Sequence, residues 1–485
     1  LGWIKRRDEV NRLRITELTE KRFRNALEDS MAFGEPLLIQ NVEEVLDPIL
    51  DPVLDKLIQR SGRGWKVCLA DKECEYTETF RMYMTTRMGN PHFSPELCAQ
   101  VAVINFTVTM AGLEQQLLGR VVMAERPELE EQRLRLVEEV TTNLKTLKGL
   151  EDDLLYRLAN STGNLLDDAS LIEVLGTMKK TAGEVKEKLS NASTAGERIS
   201  IACAEYRPVA TRGALLYFLI VDMAAINIMY QLSLQQFLGL FDYSLAHSAP
   251  APVAAKRIIN IIDFANFHVT CYVQRGLFVR HKDIWSLMLT MRIQTVAGRL
   301  TAAQQKMLLV GGGSLDANAE KPKPASWIPD AAWLHIIQLS RSVPVYRDLP
   351  DAITRNDAVW KHWYDEDCPE AVKIPDFDDR IEMYFDKLLL IRALREDRAL
   401  LGVQEYVMDA LGKRYADSRL LDIRALTEEV NKFTPAIFIL STGADPTNAI
   451  NELARKMKKK VGSIWMGQGQ EPAARKLLQQ GMLVG

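Results

Sequence analysis

Residues 436–447 have the order of a phosphate-binding loop, in which an apolar strand is followed by a glycine turn and a helix. A working loop ends in Gly-Lys-Ser/Thr, because the lysine neutralises phosphate charge and the backbone amides donate to phosphate oxygens. Gly443 and Thr447 are present, but Asp445 and Pro446 stand where the second glycine and the lysine are needed. An acidic side chain repels phosphate, and proline has no amide hydrogen to donate. The sequence therefore predicts only the remnant of a nucleotide-binding loop.

A second group of polar residues follows the apolar run 37–39, which is typical of a buried parallel strand. This arrangement resembles the core of an AAA+ ATPase, where such a strand ends in Asp-Glu. The aspartate of that pair helps to hold Mg²⁺ and the glutamate orients the attacking water. Asn41 and Val42 stand at these positions, and neither has the charge that the chemistry needs. Thr85 and Thr86 end a later run, where the resemblance places the γ-phosphate sensor. We expect this site not to hydrolyse ATP.

The composition excludes several other kinds of chemistry. A formal net charge of −3 over 485 residues gives no electrostatic field that would attract nucleic acid or an anionic membrane. The six cysteines include no CxxC pair and the six histidines are dispersed, so no zinc site is predicted. Reduced thiols in an intracellular compartment are expected. No Ser/His/Asp arrangement is visible, and no apolar run has the roughly 20 residues of a membrane span.

The elements that would position these residues begin with a succession of short apolar runs and helical stretches. A basic helical segment is predicted over residues 12–24. The strand candidates are residues 37–39, 67–69, 81–86 and 101–106. Because strands that alternate with helices form parallel sheets, this succession predicts a parallel α/β layer.

Residues 126–206 carry the clearest periodicity. In their second half, the four-and-three spacing of a heptad seam is followed by Leu171, Leu175, Met178, Ala182, Val185, Leu189, Ala192, Gly196 and Ile199. A looser seam upstream consists of Leu129, Leu136, Val140, Leu144, Leu147, Leu150, Leu154 and Leu158. A Gly- and Asn-containing break at 160–164 separates the two seams. The pattern predicts an antiparallel helical hairpin with arms of about 55 Å. Two long helices folded flat on a domain would give the same pattern.

Residues 215–240 are apolar around the whole helical circumference and predict a buried helix. Met223 and Met229 are expected in its core rather than around a ligand. Further helices are predicted downstream, and His268 and His281 are interpreted as structural because no carboxylate stands at ligand spacing.

The clearest linker in the chain contains Gly311-Gly312-Gly313 and the proline-rich residues 321–324. Four tryptophans beyond it are predicted to be packing anchors: Trp327, Trp333, Trp360 and Trp363. Residues 385–392 are predicted to begin another α/β unit, which leads to the loop at 436–447.

Several runs of residues resemble the fifth AAA+ module of a dynein heavy chain: 35–50, 80–93, 112–119 and 125–130. The resemblance covers the chain in order, and residues 466–471 resemble the axonemal branch, particularly outer-arm chains. It implies an α/β fold with a predominance of helix, made of AAA+ modules with an α-helical lid and a projecting antiparallel coiled-coil hairpin. The implied domains are the large α/β subdomain of the fifth module (1–118), the strut or buttress (119–206), the helical lid (207–310), a connecting region (311–380) and the sixth module (381–485).

The resemblance also implies a function. The segment would be a non-catalytic part of an ATP-driven microtubule motor, relaying ring rearrangements through the strut to the microtubule-binding stalk. Its partners would be the stalk coiled coil and neighbouring AAA+ modules of the same heavy chain, other dynein chains and, through the parent chain, the microtubule. No cofactor is expected in this segment, with ATP and Mg²⁺ in other modules. Expected locations are the cytoplasm, the cytoskeleton and the ciliary or flagellar axoneme.

Two other functions remain open from the residues themselves. An AAA+ module could bind nucleotide through atypical motifs, using a phosphate-binding loop ahead of Leu1, since the absence of an initiator Met suggests a segment of a longer polypeptide. A coiled-coil scaffold is the other alternative, although it does not explain the α/β units on both sides of the hairpin.

Overall fold

The structure is a computed structural model. It describes residues 1–485 except 62–63, 70–71, 89–90, 161–168, 312–321, 417–422, 424–425, 427–435, 459–460, 463, 465–466, 468, 480–482 and 485. The chain divides into two compact units, Leu1–Thr109 and Met110–Gly485. The fold is dominated by helices, with small sheets, as the sequence predicts.

The first unit mixes short helices and strands. Its elements are α1 (Gly2–Asp8), β1 (Arg14–Glu17), α2 (Phe23–Phe33), β2 (Leu37–Gln40), α3 (Asp51–Leu54), β3 (Ile58–Ser61), β4 (Gly64–Leu69), β5 (Lys72–Tyr76), β6 (Met82–Met84) and α4 (Pro95–Gln100). Among the described residues, β1, β2 and β6 form a parallel sheet with β2 in the centre. Strands β3, β4 and β5 form a separate antiparallel sheet.

The central strand β2 is buried because both of its neighbours and helix α2 cover it. Leu37, Leu38 and Ile39 are fully buried, which explains the uninterrupted apolar run in the sequence. Leu27 and Met31 of α2 belong to the same core. The predicted strand at 37–39 and the centre of the one at 81–86 are therefore confirmed.

Three predictions in this unit are wrong or wrong in part. The basic segment 12–24 contains strand β1, because pairing with β2 overrides its helical character, and helix begins only at Phe23. Residues 67–69 do form a strand, but an antiparallel one. Residues 101–106 contain no strand, and Val103, Ile104 and Phe106 are exposed, since no neighbouring strand pairs with them.

The second unit is almost entirely helical. Its helices are α5 (Met110–Glu125), α6 (Pro127–Asn160), α7 (Ala169–Ala204), α8 (Arg207–Met223), α9 (Leu234–His247), α10 (Ala254–Gly276), α11 (Val279–Val296), α12 (Ala302–Val310), α13 (Asp330–Ser342), α14 (Leu349–Arg355), α15 (Asp357–Asp365), α16 (Tyr384–Leu394), α17 (Ala399–Leu411), α18 (Thr447–Lys456) and α19 (Glu471–Gln479). Two-residue strands β7 (Val461–Gly462) and β8 (Leu483–Val484) pair in parallel.

The predicted helix at 215–240 is two helices. Helix α8 ends at Met223, which is fully buried as expected. Asn227 then accepts a hydrogen bond from the amide of Met229 and Ser233 caps α9, so local side-chain bonds break the helix. Met229 is 44 % exposed, and its assignment to the core is wrong.

The predicted structural roles of two histidines agree with their contacts. The Nδ1 atom of His281 lies 2.7 Å from the hydroxyl of Tyr230, and the Nδ1 atom of His268 lies 3.1 Å from the hydroxyl of Ser244.

Beyond the linker, the tryptophans pack as predicted. Trp333, Trp360 and Trp363 are buried, while half-buried Trp327 donates its indole hydrogen to Asp357 at 2.8 Å. The described residues from 381 to 411 contain helices and no strand. Residues 436–440, predicted to be a strand, have no regular structure, and most of them are exposed.

Candidate functional site

The carboxyl ends of the three parallel strands bring Glu17, Asn41 and Thr85 together. Asn41 follows β2 with a left-handed backbone, φ +55°, and its side-chain amide donates to the Glu17 carboxylate at 2.5 Å. The amide of Val42 donates to the carbonyl of Thr85 at 3.0 Å, so pairing with the segment after β6 continues past β2. The carboxyl ends of parallel strands are where α/β proteins commonly bind their ligands. Sequence reasoning missed Glu17, because only the pairing of β1 with β2 brings it to Asn41.

The other predicted residues at this edge are engaged with their own chain. Val42 is only 5 % exposed and belongs to the hydrophobic core of the unit. The hydroxyl of Thr86 accepts a hydrogen bond from the amide of Met88 at 3.2 Å. Of the two glutamates that follow Val42, Glu44 accepts from the amide of His92 at 3.0 Å. These contacts leave exposed Asn41 and half-buried Glu17 as the polar pair at this edge.

The second candidate loop precedes α18. Gly443 has a φ of +85°, which glycine adopts without strain and which permits the turn. The carboxylate of Asp445 accepts a hydrogen bond from the amide of Thr447 at 2.9 Å. The side chain of Thr447, and after it this amide, lower the pKa of Asp445 by hydrogen bonding to the carboxylate. The Asp445 carboxylate thus occupies the first amide of the helix, where a phosphate would have to bind. Pro446 precedes that amide and offers no donor.

Neither a metal site nor a membrane-spanning helix is found in the described ranges. Among those residues, no group of three or more His, Cys, Asp or Glu side chains is placed to hold a metal ion. Nor does any described helix combine the length and the hydrophobicity of a membrane span.

The two long helices α6 and α7 meet at their bases. The guanidinium of Arg126 lies 3.9 Å from the carboxylate of Glu205, so the start of α6 lies beside the end of α7. Glu130 is 6 % exposed and is paired with Arg133 at 2.5 Å. Cys203 lies beside this pair, and burial raises the pKa of its thiol. The ion pair on α6 and the thiol on α7 therefore lie side by side where the two helices meet.

Burial along α7 follows the heptad seam wherever its side chains are described. Val185, Ala192, Ile199 and Cys203 are buried and Leu189 is half-buried, at spacings of three, four or seven residues. Three further predicted seam side chains lie outside the described ones: Leu171, Leu175 and Met178.

The seam on α6 differs from the prediction by one position. Leu136, Val140, Asn143 and Leu147 are the half-buried residues of its middle turns. Leu144, predicted to lie in the seam, is 51 % exposed. Asn143 takes its place because it stands three residues after Val140 and four before Leu147. The buried side-chain nitrogen of Asn143 has no hydrogen-bond partner among the described residues.

A second apolar stripe on α6 is exposed. It is formed by Leu134, Val137, Leu144 and Leu155, with Thr141 between them. These positions again follow three- and four-residue steps or their sums, so they share one face of the helix, different from the face with the seam. We call this face the outer stripe.

Arg257 of α10 forms an ion pair directly before the start of α6. Its guanidinium binds the Glu125 carboxylate at 2.7 to 3.1 Å, and Glu125 is the last residue of α5. The same guanidinium donates to three backbone carbonyls at the end of α9, those of Leu245, Ser248 and Ala249. Both side chains of the ion pair are largely buried, so the pair ties three helices together directly below the long helices.

Comparisons with known proteins match both ends of the chain to one family. A family described as the ATP-binding dynein motor region matches residues 1–185, and the dynein heavy chain region D6 P-loop domain matches residues 431–485. The chain is 49 % identical to the dynein gamma chain of the flagellar outer arm from Chlamydomonas reinhardtii, over 100 % of this chain and 11 % of that protein.

Two mammalian proteins give similar values. Identity is 46 % to dynein axonemal heavy chain 8 of Homo sapiens, over 100 % of this chain and 11 % of the relative. It is also 46 % to dynein axonemal heavy chain 5 of Mus musculus, over 100 % and 10 %. The chain thus spans about a tenth of the length of these relatives. The resemblance seen in the sequence is confirmed: the chain belongs to the dynein heavy chain family and corresponds to a segment of the motor region of an axonemal heavy chain.

Proposed function

We propose that this chain transmits force within a microtubule motor of the ciliary or flagellar axoneme and does not itself hydrolyse ATP. In this proposal α6 and α7 form an antiparallel coiled-coil strut, which relays rearrangements of the motor ring to the microtubule-binding stalk of the same heavy chain. The observation that carries the proposal is the heptad burial along α7 from Val185 to Cys203.

The dimensions of the helix pair support this role. Helix α6 has 34 residues and α7 has 36, which at 1.5 Å per residue gives about 50 Å for each. A packed helix pair of this length is stiff, so movement at its base is carried along it. The exposed outer stripe supplies an apolar face on which a helix of the stalk would pack.

The attachment of the pair supports the same role. Arg257 and Glu125 hold the start of α6 close to α9 and α10 through buried, charge-assisted hydrogen bonds. A lever needs a rigid base, because a loose one would absorb movement rather than transmit it. The bonds to the Leu245 and Ser248 carbonyls orient the guanidinium and make the base rigid.

The two candidate nucleotide sites do not fit a magnesium-bound triphosphate. Asn41 supplies no negative charge for the metal, and its amide is already hydrogen-bonded to Glu17. Val42 is buried in the core and has no group that could orient water. At the other site, Asp445 occupies the first amide of α18. In this proposal the segment carries out no hydrolytic step, and ATP and Mg²⁺ bind to other modules of the parent chain.

The proposed partners follow from this role. They are the stalk coiled coil and the neighbouring AAA+ modules of the same heavy chain. Other dynein chains and, through the parent chain, the microtubule complete the assembly.

The test is a pair of substitutions in the complete heavy chain. Val185→Asp places a charge in the buried seam of α7. Lys186→Asp introduces the same side chain at the next residue, which is exposed. We expect Val185→Asp to keep basal ATP hydrolysis and to lose its stimulation by microtubules, with Lys186→Asp close to wild type in both. Normal microtubule stimulation in the Val185→Asp motor would overturn the relay role.

A further inference from the structure

A cavity of about 390 Å³ lies at the junction of α7 and α8, within the second unit. Its walls come from the end of α7, the first turns of α8 and the facing sides of α10 and α11. The lining includes Ala204, Arg207, Thr211, Arg212, Ile262 and Val296. Its volume is within the range of small-molecule sites, about 300–1,000 Å³. Two arginines in an otherwise mainly apolar lining make its chemistry unusual.

Arg212 is a half-buried cation with no direct partner among the residues that the structure describes. Within the described part of the chain, its guanidinium has no hydrogen bond and no ion pair, although Asp263 and Tyr415 act on it electrostatically. Burial lowers its pKa. Arg257 and Arg395 in the same unit each bind a carboxylate and backbone carbonyls. Because removing a charge from water without a partner is costly, a bound anion would offset the partial burial of the Arg212 guanidinium.

Arg207 adds a second, weakly held charge to the same cavity. Its only ion pair among the described residues is a long one, with Glu114 at 4.0 Å, and its side chain is largely exposed. The two guanidinium groups together bring two positive charges, which match a doubly charged oxyanion. The planar fork of arginine donors suits the oxygens of phosphate, and a partly apolar lining strengthens such bonds by excluding water.

We propose that this cavity is a binding site for a phosphate-class anion, with Arg212 as the principal ligand and Arg207 as the second. Ile262 and Val296 form the apolar wall against which the remainder of a larger ligand would lie. Occupation would join the α7–α8 junction to α10 and α11, and so stabilise the second unit. The inference does not depend on the relay role, since it rests on a cavity outside the seam.

The test is calorimetric titration of the 485-residue chain with inorganic phosphate and, separately, with ADP in the absence of metal. Arg212→Gln removes the fork, and Arg280→Gln removes the same charge from an exposed position on α11 outside the cavity. We expect Arg212→Gln to weaken binding at least about tenfold and Arg280→Gln to leave it unchanged. Tighter binding of ADP would show that the phosphate is carried on a nucleotide, whereas equal binding would indicate free phosphate. No binding at millimolar phosphate or ADP, or equal losses in both variants, would overturn the site.

Two further variants keep the proposal testable if Arg212→Gln fails to fold. Val296→Phe fills the cavity from a largely exposed wall position without changing any charge, and we expect it to abolish binding. Arg212→Leu should raise the melting temperature of the ligand-free chain while removing binding, because the unpaired charge is a stability cost kept for a ligand. A lower melting temperature for Arg212→Leu with unchanged phosphate binding would show that Arg212 has a structural role instead.

Discussion

Glu125 and Arg257 are 132 residues apart in the sequence, and in the structure they share three hydrogen bonds between one carboxylate and one guanidinium. The long helices α6 and α7 lie between them in the chain. The pair therefore couples the end of α5, directly before the long helices, to α10, which follows them in the chain.

The first prediction concerns this ion pair. Arg257→Ala would leave the largely buried Glu125 carboxylate and three carbonyls without their donor, so we expect the free energy of unfolding to fall by about 3–5 kcal/mol. Urea unfolding monitored by circular dichroism measures the loss. Arg120→Ala is the matched control because its pair with Asp242 is much more exposed, and it should cost about 0–1 kcal/mol. Equal losses in the two variants would contradict the anchoring role of Arg257.

The second prediction tests why the strand-end site cannot regain a catalytic glutamate by a single change. Val42→Glu puts a carboxylate into the hydrophobic core, and we expect it to lower the free energy of unfolding by more than about 3 kcal/mol. Asn41→Asp, at the exposed neighbouring position, loses the bond to Glu17 and should cost about 1 kcal/mol or less. Chemical unfolding of both variants gives the comparison. A well-tolerated Val42→Glu would mean that this side chain can leave the core.

The sequence predicted those features that depend on local pattern. The buried strand at Leu37–Gln40 follows from its apolar run, and the burial of Val185 and Ile199 follows from heptad spacing. The same reasoning failed by one position at Leu144, because a looser pattern fits two registers and only packing against α7 selects the one that contains Asn143.

Features that depend on pairing between distant segments could not be predicted. Glu17 reaches Asn41 because β1 pairs with β2, and nothing in the polar segment around it indicates a strand. Residues 101–106 have strand-like composition but no neighbouring strand, and β-propensity alone does not form a sheet. The Arg257–Glu125 pair likewise depends on the packing of three helices, which periodicity does not specify.

The third prediction is a pH dependence at Asp386, a carboxylate near the start of α16. Burial raises its pKa, and its Oδ1 atom accepts a hydrogen bond from the side-chain amide of Gln304 at 2.8 Å. Since the folded state holds the proton more tightly than the unfolded state, this group stabilises the fold less as the pH rises through its folded pKa. Asp386→Asn keeps an acceptor for Gln304 and removes the charge.

We therefore expect Asp386→Asn to raise the free energy of unfolding at neutral pH, and the gain to shrink in acid as the wild-type carboxyl becomes protonated. Unfolding curves across pH 3–8 follow the gain, over a range that brackets the ordinary pKa of Asp, about 3.9. Asp330→Asn is the control, since this carboxylate is exposed on α13. A gain that stays constant with pH would show that burial of the Asp386 charge is not its cause.

The fourth prediction concerns the one position at which the seam of α6 is polar in its middle turns. The side-chain nitrogen of Asn143 is buried without a partner among the described residues, a cost that a leucine would not carry. Asn143→Leu should therefore raise the free energy of unfolding by about 1–2 kcal/mol, whereas Leu144→Asn on the outer stripe should change it by less than about 0.5 kcal/mol.

A polar seam residue restricts the register of paired helices. If Asn143 has this role, cysteine cross-linking between α6 and α7 will show one register in the wild type and additional ones in Asn143→Leu. A less stable Asn143→Leu chain would mean instead that Asn143 makes a bond in solution that offsets its burial.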